Sequence, residues 1–174
     1  MEITILTPAD YDAYFALRLA GLEEFPLAFT TDADAWRGAD RAVIERLLAR
    51  SAAEPGAPIF GAWSAGALIG LLAMRQEERP TVRHKATLIG FYVAPTHRDQ
   101  GVGRALLSAL LAHGRHVSGL QQLRAVVNSS CTAALALLPA VGFRQFGVEE
   151  RAKLLADEYT DQIYFWYRLA EERQ

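Results

Sequence analysis

The segment VAPTHRDQGVGRALLSALL, residues 93–111, places two glycines one residue apart, after an apolar run and before a long apolar-periodic segment. Glycines at the start of a helix let backbone N–H groups approach an anion closely. The positive end of the helix dipole adds to that attraction. This spacing therefore favours the binding of a phosphate group.

Two common phosphate-binding loops fit the segment poorly. A Walker loop ends in Gly-Lys-Ser/Thr, whereas Arg104 and Ala105 follow the second glycine here. A dinucleotide loop has a third glycine where this chain has Leu106, and an acidic residue where it has Gln121 and Gln122. The glycines therefore belong to another type of loop.

The pattern Arg98-x-x-Gly101-x-Gly103 follows the strand end GFYVAP and precedes a helix. It resembles the pyrophosphate-binding motif of the GNAT superfamily of acyl-CoA-dependent N-acyltransferases. The later segment ALALLPAVGF resembles the fourth-helix motif of that family, which ends in Gly-Phe. The resemblance covers nearly the whole chain, although residues 1–50 match by layout more than by motif. It implies acetyl-CoA as the cosubstrate.

The resemblance also implies which residues contact that cosubstrate. Backbone groups around Val93 would pair with the pantetheine arm like an added strand, and the backbone amides of the glycine loop would hold the pyrophosphate. The implied cofactor-binding residues are Val93, Arg98, Asp99, Gln100, Gly101, Val102, Gly103 and Arg104. The side chain of Arg98 or Arg104 would either meet a phosphate oxygen or remain solvated. A β-branched residue at Gly101 or Gly103 is expected to block acetyl-CoA binding and to leave the fold intact.

The chemistry of the family is direct attack by an amine on the acetyl thioester, after which the departing thiolate takes a proton. Many members have a tyrosine for this proton four residues before the Gly of Gly-Phe, where this chain has Leu138. An asparagine often begins the same helix, where this chain has Cys131. Cys131 is therefore the candidate for the proton donor, or a neighbour of the CoA sulfur. The alternative is a small buried side chain.

The general base is unassigned, because Thr87 occupies the position of a glutamate that is common on the fourth strand of the family. The candidate bases are Glu23, Glu24, His84, His97 and Tyr92, each of which is otherwise a surface or packing residue. A water chain is a further alternative.

The loop EEFPLAFTTD, residues 23–32, would lie at the acceptor mouth in this family. Glu24 and Phe29 are the implied acceptor-binding residues, and packing of the aromatic ring into the core is the alternative. His113 and His116 share a helix face but have no third ligand, so no metal is expected.

Composition limits the class of protein. A chain of 174 residues, 51% of them hydrophobic, predicts one domain over residues 1–174. A net charge of −2 argues against a nucleic-acid partner. The N-terminal segment lacks a secretory pattern, no apolar run approaches a membrane span, and Cys131 is the single cysteine. These features predict a cytoplasmic protein without a membrane partner.

The fold class predicted from this pattern is α/β (α+β). The resemblance implies a mixed, mostly antiparallel sheet of about seven strands, splayed between strands 4 and 5 and flanked by about four helices. The predicted strands are residues 2–6, 58–63, 67–75, 85–93, 120–128, 143–150 and 159–169, and the predicted helices are 8–21, 32–50, 103–117 and 132–138. Pro139 should end or kink the last helix near Leu138. Apolar residues on both faces of the last strand indicate burial by a helix or by a second subunit, which permits a homodimer.

Two functions remain open at this point. The first is an N-acetyltransferase that moves an acetyl group from acetyl-CoA to a primary amine of a small molecule, an amino acid or a protein N-terminus. The second is a catalytically weak or inactive acetyl-CoA-binding module, since the usual tyrosine and glutamate are both absent. The sequence does not select an acceptor.

Overall fold

The computed structural model describes residues 1–169, whose seven strands form one mixed sheet with helices on both faces. The strands are β1 Glu2–Ile5, β2 Ile59–Ser64, β3 Ala67–Gln76, β4 Lys85–Val93, β5 Gln122–Asn128, β6 Arg144–Leu155 and β7 Glu158–Arg168. Their order is β1-β2-β3-β4-β5-β7-β6. Only β4 and β5 are parallel neighbours among these strands. The predicted mixed, mostly antiparallel sheet is confirmed.

Five α-helices lie within residues 1–169, where about four were predicted. They are α1 Tyr11–Glu24, α2 Ala33–Arg37, α3 Arg41–Ala53, α4 Val102–Gly114 and α5 Thr132–Ala140. None of the helices in this part of the chain is long and apolar enough to cross a membrane.

The additional helix arises because the predicted helix over residues 32–50 is two helices. Asp32 accepts a hydrogen bond from the N–H of Ala35 at 2.7 Å and caps α2. Asp40 accepts one from the N–H of Ala42 at 2.8 Å and caps α3. A side chain that caps a new helix competes with continuation of the previous one, so the chain turns at Gly38.

Helix α5 ends close to its predicted end. Pro139 lies in the last turn, and the helix continues one residue beyond it to Ala140. Proline removes the N–H that would donate to the carbonyl of Leu135. After the helix, the N–H groups of Val141 and Phe143 donate hydrogen bonds to the carbonyl of Leu138, at 3.2 and 3.0 Å.

The sheet divides the core into two layers. Along β3, Leu72 and Met74 belong to the cluster under α4 and α5, whereas Leu71 and Ala73 belong to the cluster under α1 and α3. This alternation follows from the two-residue period of a strand. The central strand β3 is therefore buried on both faces, which explains its continuous apolar sequence.

Strands β4 and β5 diverge soon after they begin. Their parallel register runs only from Lys85 with Gln122 to Thr87 with Arg124. On the other side of β4, the register with β3 shifts between the pairs Leu71–Tyr92 and Ala73–Ile89. This shift is a bulge at Gly90, whose φ is +69°. The predicted splay between the fourth and fifth strands is confirmed.

Gly103 allows α4 to lie close to its neighbours. A Cβ atom at this position would lie 3.2 Å from Cζ of Phe91 and 3.3 Å from Cδ2 of Leu137. The missing side chain thus faces β4 and α5 rather than open space. A larger residue at Gly103 would therefore press against these side chains, which contradicts the expectation that it would leave the fold intact.

Replacement of Gly103 by valine should lower the free energy of unfolding by about 1–3 kcal/mol, because the added carbons overpack the contact with Phe91 and Leu137. Ser108→Val is the matched control, since it adds the same β-branched side chain at an exposed position of α4. Urea denaturation of both variants measures the difference. Equal stability of the two variants would contradict the packing role of Gly103.

Candidate active site

The first turn of α4 is open to a ligand at its N-terminal end. Gly101 is the N-cap, with a φ of +80°, and its carbonyl accepts the N–H of Ala105 at 3.0 Å. The amides of Val102, Gly103 and Arg104 precede that first bond and have no carbonyl to reach within the helix. They lie at the positive end of the helix dipole, so this turn fits an anion such as a phosphate group.

The side chains around this turn leave the amides accessible. A Cβ at Gly101 would meet no atom within 4 Å. Val102 is buried in the core, which anchors the turn. Gln100 folds back to donate to the carbonyl of Thr96 at 2.9 Å, and Arg104 is exposed. Asp99 adopts a positive φ of 59°, which bends the chain before Gly101.

The guanidinium of Arg98 is engaged away from the turn. It forms two hydrogen bonds to the Glu24 carboxylate, at 2.7 and 2.6 Å, and its Nε donates to the carbonyl of Val93 at 3.0 Å. This bidentate geometry is the strong form of a charged hydrogen bond. Arg98 and Glu24 were predicted to contact two different ligands, and the structure pairs them with each other.

Tyr92 completes this group by donating its hydroxyl to Glu24 at 2.8 Å. The hydrogen bond from Arg98 lowers the pKa of Glu24, burial opposes it, and the bond from Tyr92 adds to it. Burial, and next the bond to Glu24, raise the pKa of Tyr92 to about 12. At neutral pH Glu24 is therefore a carboxylate and Tyr92 a protonated phenol, which makes Tyr92 a poor base.

The other three candidate bases lie in different surroundings. Glu23 pairs with Arg37 on α2. The ring nitrogen Nδ1 of His97 lies 2.9 Å from the hydroxyl of Thr96. His84 precedes β4, at the end of the strand where it is still paired with β5 and away from the splay.

Buried Asn128 holds the end of β5 in place. Its amide nitrogen donates to the carbonyl of Leu27 at 3.2 Å and to the hydroxyl of Thr160 at 2.7 Å. Its amide oxygen accepts from the N–H and the hydroxyl of Ser130, at 3.0 and 2.7 Å. This one side chain therefore connects the loop after α1 with β7 and with the start of α5.

Cys131 follows this network as the N-cap residue of α5 and is partly exposed. Burial raises the pKa of its thiol, and Ser130 and Lys153 partly oppose that shift. The thiol is therefore protonated at neutral pH, the state that a proton donor requires. Leu138 lies in the same helix, 1% exposed within the core, and offers no protic group.

Phe29 lies between two basic side chains that the sequence did not single out. Its ring centroid is 4.2 Å from Cζ of Arg18, on α1. Its carbonyl accepts a hydrogen bond from Nζ of Lys153 at 2.8 Å. Lys153 reaches the loop because β6 bulges between Glu149 and Lys153. The only signal for Arg18 in the sequence was its position within the apolar part of α1.

No group of three or more His, Cys, Asp and Glu side chains within the described residues is arranged to hold a metal ion. His113, one of the two helix histidines noted in the sequence, donates from Nε2 to the carbonyl of Pro55 at 2.7 Å. Its ring also contacts that of Phe60, with centroids 5.6 Å apart.

A structural relative supports the fold assignment. The structure superposes with a TM-score of 0.82 on a GNAT superfamily phosphinothricin acetyltransferase from Sinorhizobium meliloti, solved in complex with acetyl-CoA. The two chains are 20% identical, and the alignment covers 97% of this chain and 88% of the other. At this identity, the likeness establishes the fold.

Sequence relatives support the same family. The chain is 35% identical over 114 residues to the N-alpha-acetyltransferase RimI of Mycobacterium tuberculosis, a match that covers 64% of this chain and 68% of the relative. It is 38% identical over 111 residues to the phosphinothricin N-acetyltransferase of Alcaligenes faecalis, covering 63% of this chain and 56% of that protein. Residues 22–143 match the model of the Acetyltransferase (GNAT) family. This chain therefore belongs to the GNAT family and is an acyltransferase.

Proposed function

We propose that this protein transfers the acetyl group of acetyl-CoA to a primary amine at the splay between β4 and β5. The observation that carries the proposal is the open first turn of α4, where the amides beside Gly101 fit a phosphate group. Two relatives are by name N-acetyltransferases, which supports nitrogen as the acceptor atom. One structural relative was solved with acetyl-CoA, which supports that acetyl donor.

The proposed contacts to acetyl-CoA follow from the same geometry. The amides of residues 99–104 hold the pyrophosphate, and the free edge of β4 near Val93 pairs with the pantetheine arm. Arg98 contributes indirectly, because its side chain binds Glu24 and the Val93 carbonyl. Arg104 is exposed at the first turn and is the basic side chain available to a phosphate oxygen.

The proposed reaction forms one bond and breaks one bond. The amine nitrogen attacks the thioester carbonyl carbon, the carbon–sulfur bond breaks, and the products are an N-acetylated amine and the CoA thiol. The nitrogen loses one proton, and the sulfur gains one. Cys131 is the proposed donor to the sulfur, since its thiol is protonated and lies at the end of β5. With Tyr92 and Glu24 engaged with each other, we propose that water takes the proton from the amine.

A second candidate function is an acetyl-CoA-binding module with weak or no catalysis. The buried Leu138 favours it, because no hydroxyl stands where many members of the family have one. Glu24 also supports it, since its carboxylate already has three donors. Release of CoA in the presence of an amine distinguishes the two functions.

The remaining proposals concern the protein as a whole. A single transferase domain over residues 1–174 is supported by the one continuous sheet of the described chain. A homodimer is supported by Phe146 and Val148 on the edge strand β6, which are 58% and 52% exposed. A cytoplasmic location is supported by the single cysteine.

Calorimetric titration with acetyl-CoA, CoA, NADH and ATP tests the ligand, and a thiol-release assay with a panel of amines tests the reaction. We expect acetyl-CoA and CoA to bind and NADH to give no binding heat, with CoA thiol released above the spontaneous rate. Binding without release would favour the module. Absence of acetyl-CoA binding would contradict both functions.

Gly101→Ala should weaken acetyl-CoA binding about tenfold or more, because the methyl group would stand where the phosphate approaches the amides. Gly119→Ala is the matched control. Gly119 also has a positive φ, +73°, and open space around a Cβ, but it lies beyond the other end of α4. Each substitution should cost about 1–2 kcal/mol of stability from backbone strain. Equal acetyl-CoA affinities of the two variants would refute the phosphate site.

Cys131→Ala should lower kcat about a hundredfold if the thiol donates the proton to the leaving sulfur. The KM for acetyl-CoA should stay within about twofold, since no phosphate contact changes. Steady-state kinetics with the best amine of the panel measure both constants. Cys131→Ser retains a protic group and should keep more activity than Cys131→Ala. An unchanged kcat in the alanine variant would leave Cys131 with a packing role.

A further inference from the structure

Arg18 is a partly buried cation that has no anionic partner in the described structure. Its Nη1 atom has essentially no exposed surface and no hydrogen-bond partner within residues 1–169. Burial lowers the pKa of this guanidinium, which reflects the cost of removing a charge from water. Tyr14 opposes this shift only in part. A charged group in such surroundings is normally paired, so the lack of a carboxylate partner within residues 1–169 points to a bound anion.

The acidic side chains of the acceptor loop are engaged elsewhere, Asp32 as the cap of α2. Glu24 binds Arg98 and Tyr92, and Glu23 binds Arg37. Across the loop, Glu149 accepts the hydroxyl of Tyr164.

Lys153 is a second basic side chain that contacts Phe29. Its Nζ donates to the carbonyl of Phe29, and no carboxylate lies within ion-pair distance among the described residues. Burial lowers the pKa of this amine. Arg18, on α1, therefore contacts the ring of Phe29, and Lys153, on β6, contacts its carbonyl.

The surroundings of Arg18 suit a planar anion. The ring of Phe29 stacks on one face of the guanidinium. Because Nη1 has essentially no exposed surface, the edge left for two parallel hydrogen bonds is the one formed by Nε and Nη2. On the side of β4, Gly90 presents no side chain, and even a Cβ there would be 3.8 Å from Nη1. A carboxylate is the common planar anion with two acceptor oxygens.

The position of this cation connects it with the proposed reaction. Gly90 lies in the bulge of β4, at the splay from β5. It precedes Val93 by three residues, which is about 10 Å along a strand. In an α-amino acid, the amine and the carboxylate are bonded to the same carbon. A carboxylate held at Arg18 would therefore keep its amine beside the opening.

We propose that Arg18 binds the carboxylate of the acceptor, and that the acceptor is a free α-amino acid or a close analogue. This inference rests on the proposed function and specifies its acceptor. A peptide N-terminus lacks a carboxylate at this distance from the amine and fits the site less well. Arg18 is a specificity-determining residue in this arrangement, and the ring of Phe29 orients it.

The test uses a panel of free L-amino acids and the matching amino-acid amides, which differ only in the carboxylate. Calorimetry measures their binding to the protein saturated with CoA, so that no turnover is needed. The thiol-release assay then measures kcat/KM for each amine. The variants are Arg18→Gln, Arg18→Lys and the control Arg41→Gln, whose guanidinium also covers a ring, at 4.1 Å from Tyr11, but is exposed and paired with Glu45.

We expect the unaltered protein to bind at least one free amino acid about ten- to hundredfold more tightly than its amide. Arg18→Gln should remove this preference while acetyl-CoA affinity and the binding of amides stay unchanged. Arg18→Lys should retain part of it, since the charge remains and the planar fork is lost. Arg41→Gln should behave like the unaltered protein.

Thermal unfolding distinguishes this role from a structural one. Removal of an unpaired buried charge should leave Tm unchanged or higher in Arg18→Gln, whereas a structural role predicts a lower Tm. Amides that bind as tightly as acids, an equal loss for both in Arg18→Gln, or a panel without any binding would each overturn the inference.

The two proposals fail in different ways. Acetylation of amines that lack a carboxylate, with no acetylation of free amino acids, would support the transferase and overturn the role of Arg18. Amino-acid binding that is lost in Arg18→Gln, without any release of CoA, would support Arg18 and overturn the transferase.

Discussion

Within residues 1–169, no strand pairs with β4 on the side of β5 beyond Thr87, and the rest of the site depends on this gap. Backbone N–H and C=O groups that leave a sheet need other partners. One partner is already present, because Nε of Arg98 binds the carbonyl of Val93 at the end of the strand. The gap itself follows from the bulge at Gly90, where a positive φ bends β4. Helix α4 begins after the C-terminal end of β4, so its free amides face the region that β4 and β5 leave open.

Charge is distributed unevenly on either side of this gap. Near the end of β4, Glu24 receives three hydrogen bonds and is held as a carboxylate. Nearer the bulge, Nη1 of Arg18 has no hydrogen-bond partner among residues 1–169. Lys153 donates to the carbonyl of Phe29, whose ring covers Arg18. The net charge of −2 for the whole chain gives no sign of this local excess of positive charge. The partners of each ionised group distinguish a structural ion pair from a cation that remains available for a ligand.

Local signals predicted most of the fold. Strand β4 has the bounds predicted from its apolar run, Lys85–Val93, and the chain turns at Ala65 and Gly66, between the two strands predicted on either side. Both predictions rest on residues that are neighbours in the sequence, so contacts between distant parts of the chain do not alter them. The division between α2 and α3 was missed because Asp40 is a helix cap only when the chain already turns at Gly38. The two glycines of the loop also proved to differ, since Gly101 supplies a positive φ and Gly103 a close packing contact.

The sequence by itself determined the order of the elements, the glycine loop before α4 and the absence of a protic side chain at Leu138, since these depend on residue types at short spacings. Only the tertiary structure decided which charged groups satisfy one another. Arg98 and Glu24 are 74 residues apart, and Phe29 and Lys153 are 124 apart. Their contacts depend on where α1, the loop after it and β6 come together. The lack of a partner for Nη1 of Arg18 within residues 1–169 has the same origin, because it depends on which side chains lie near it in space.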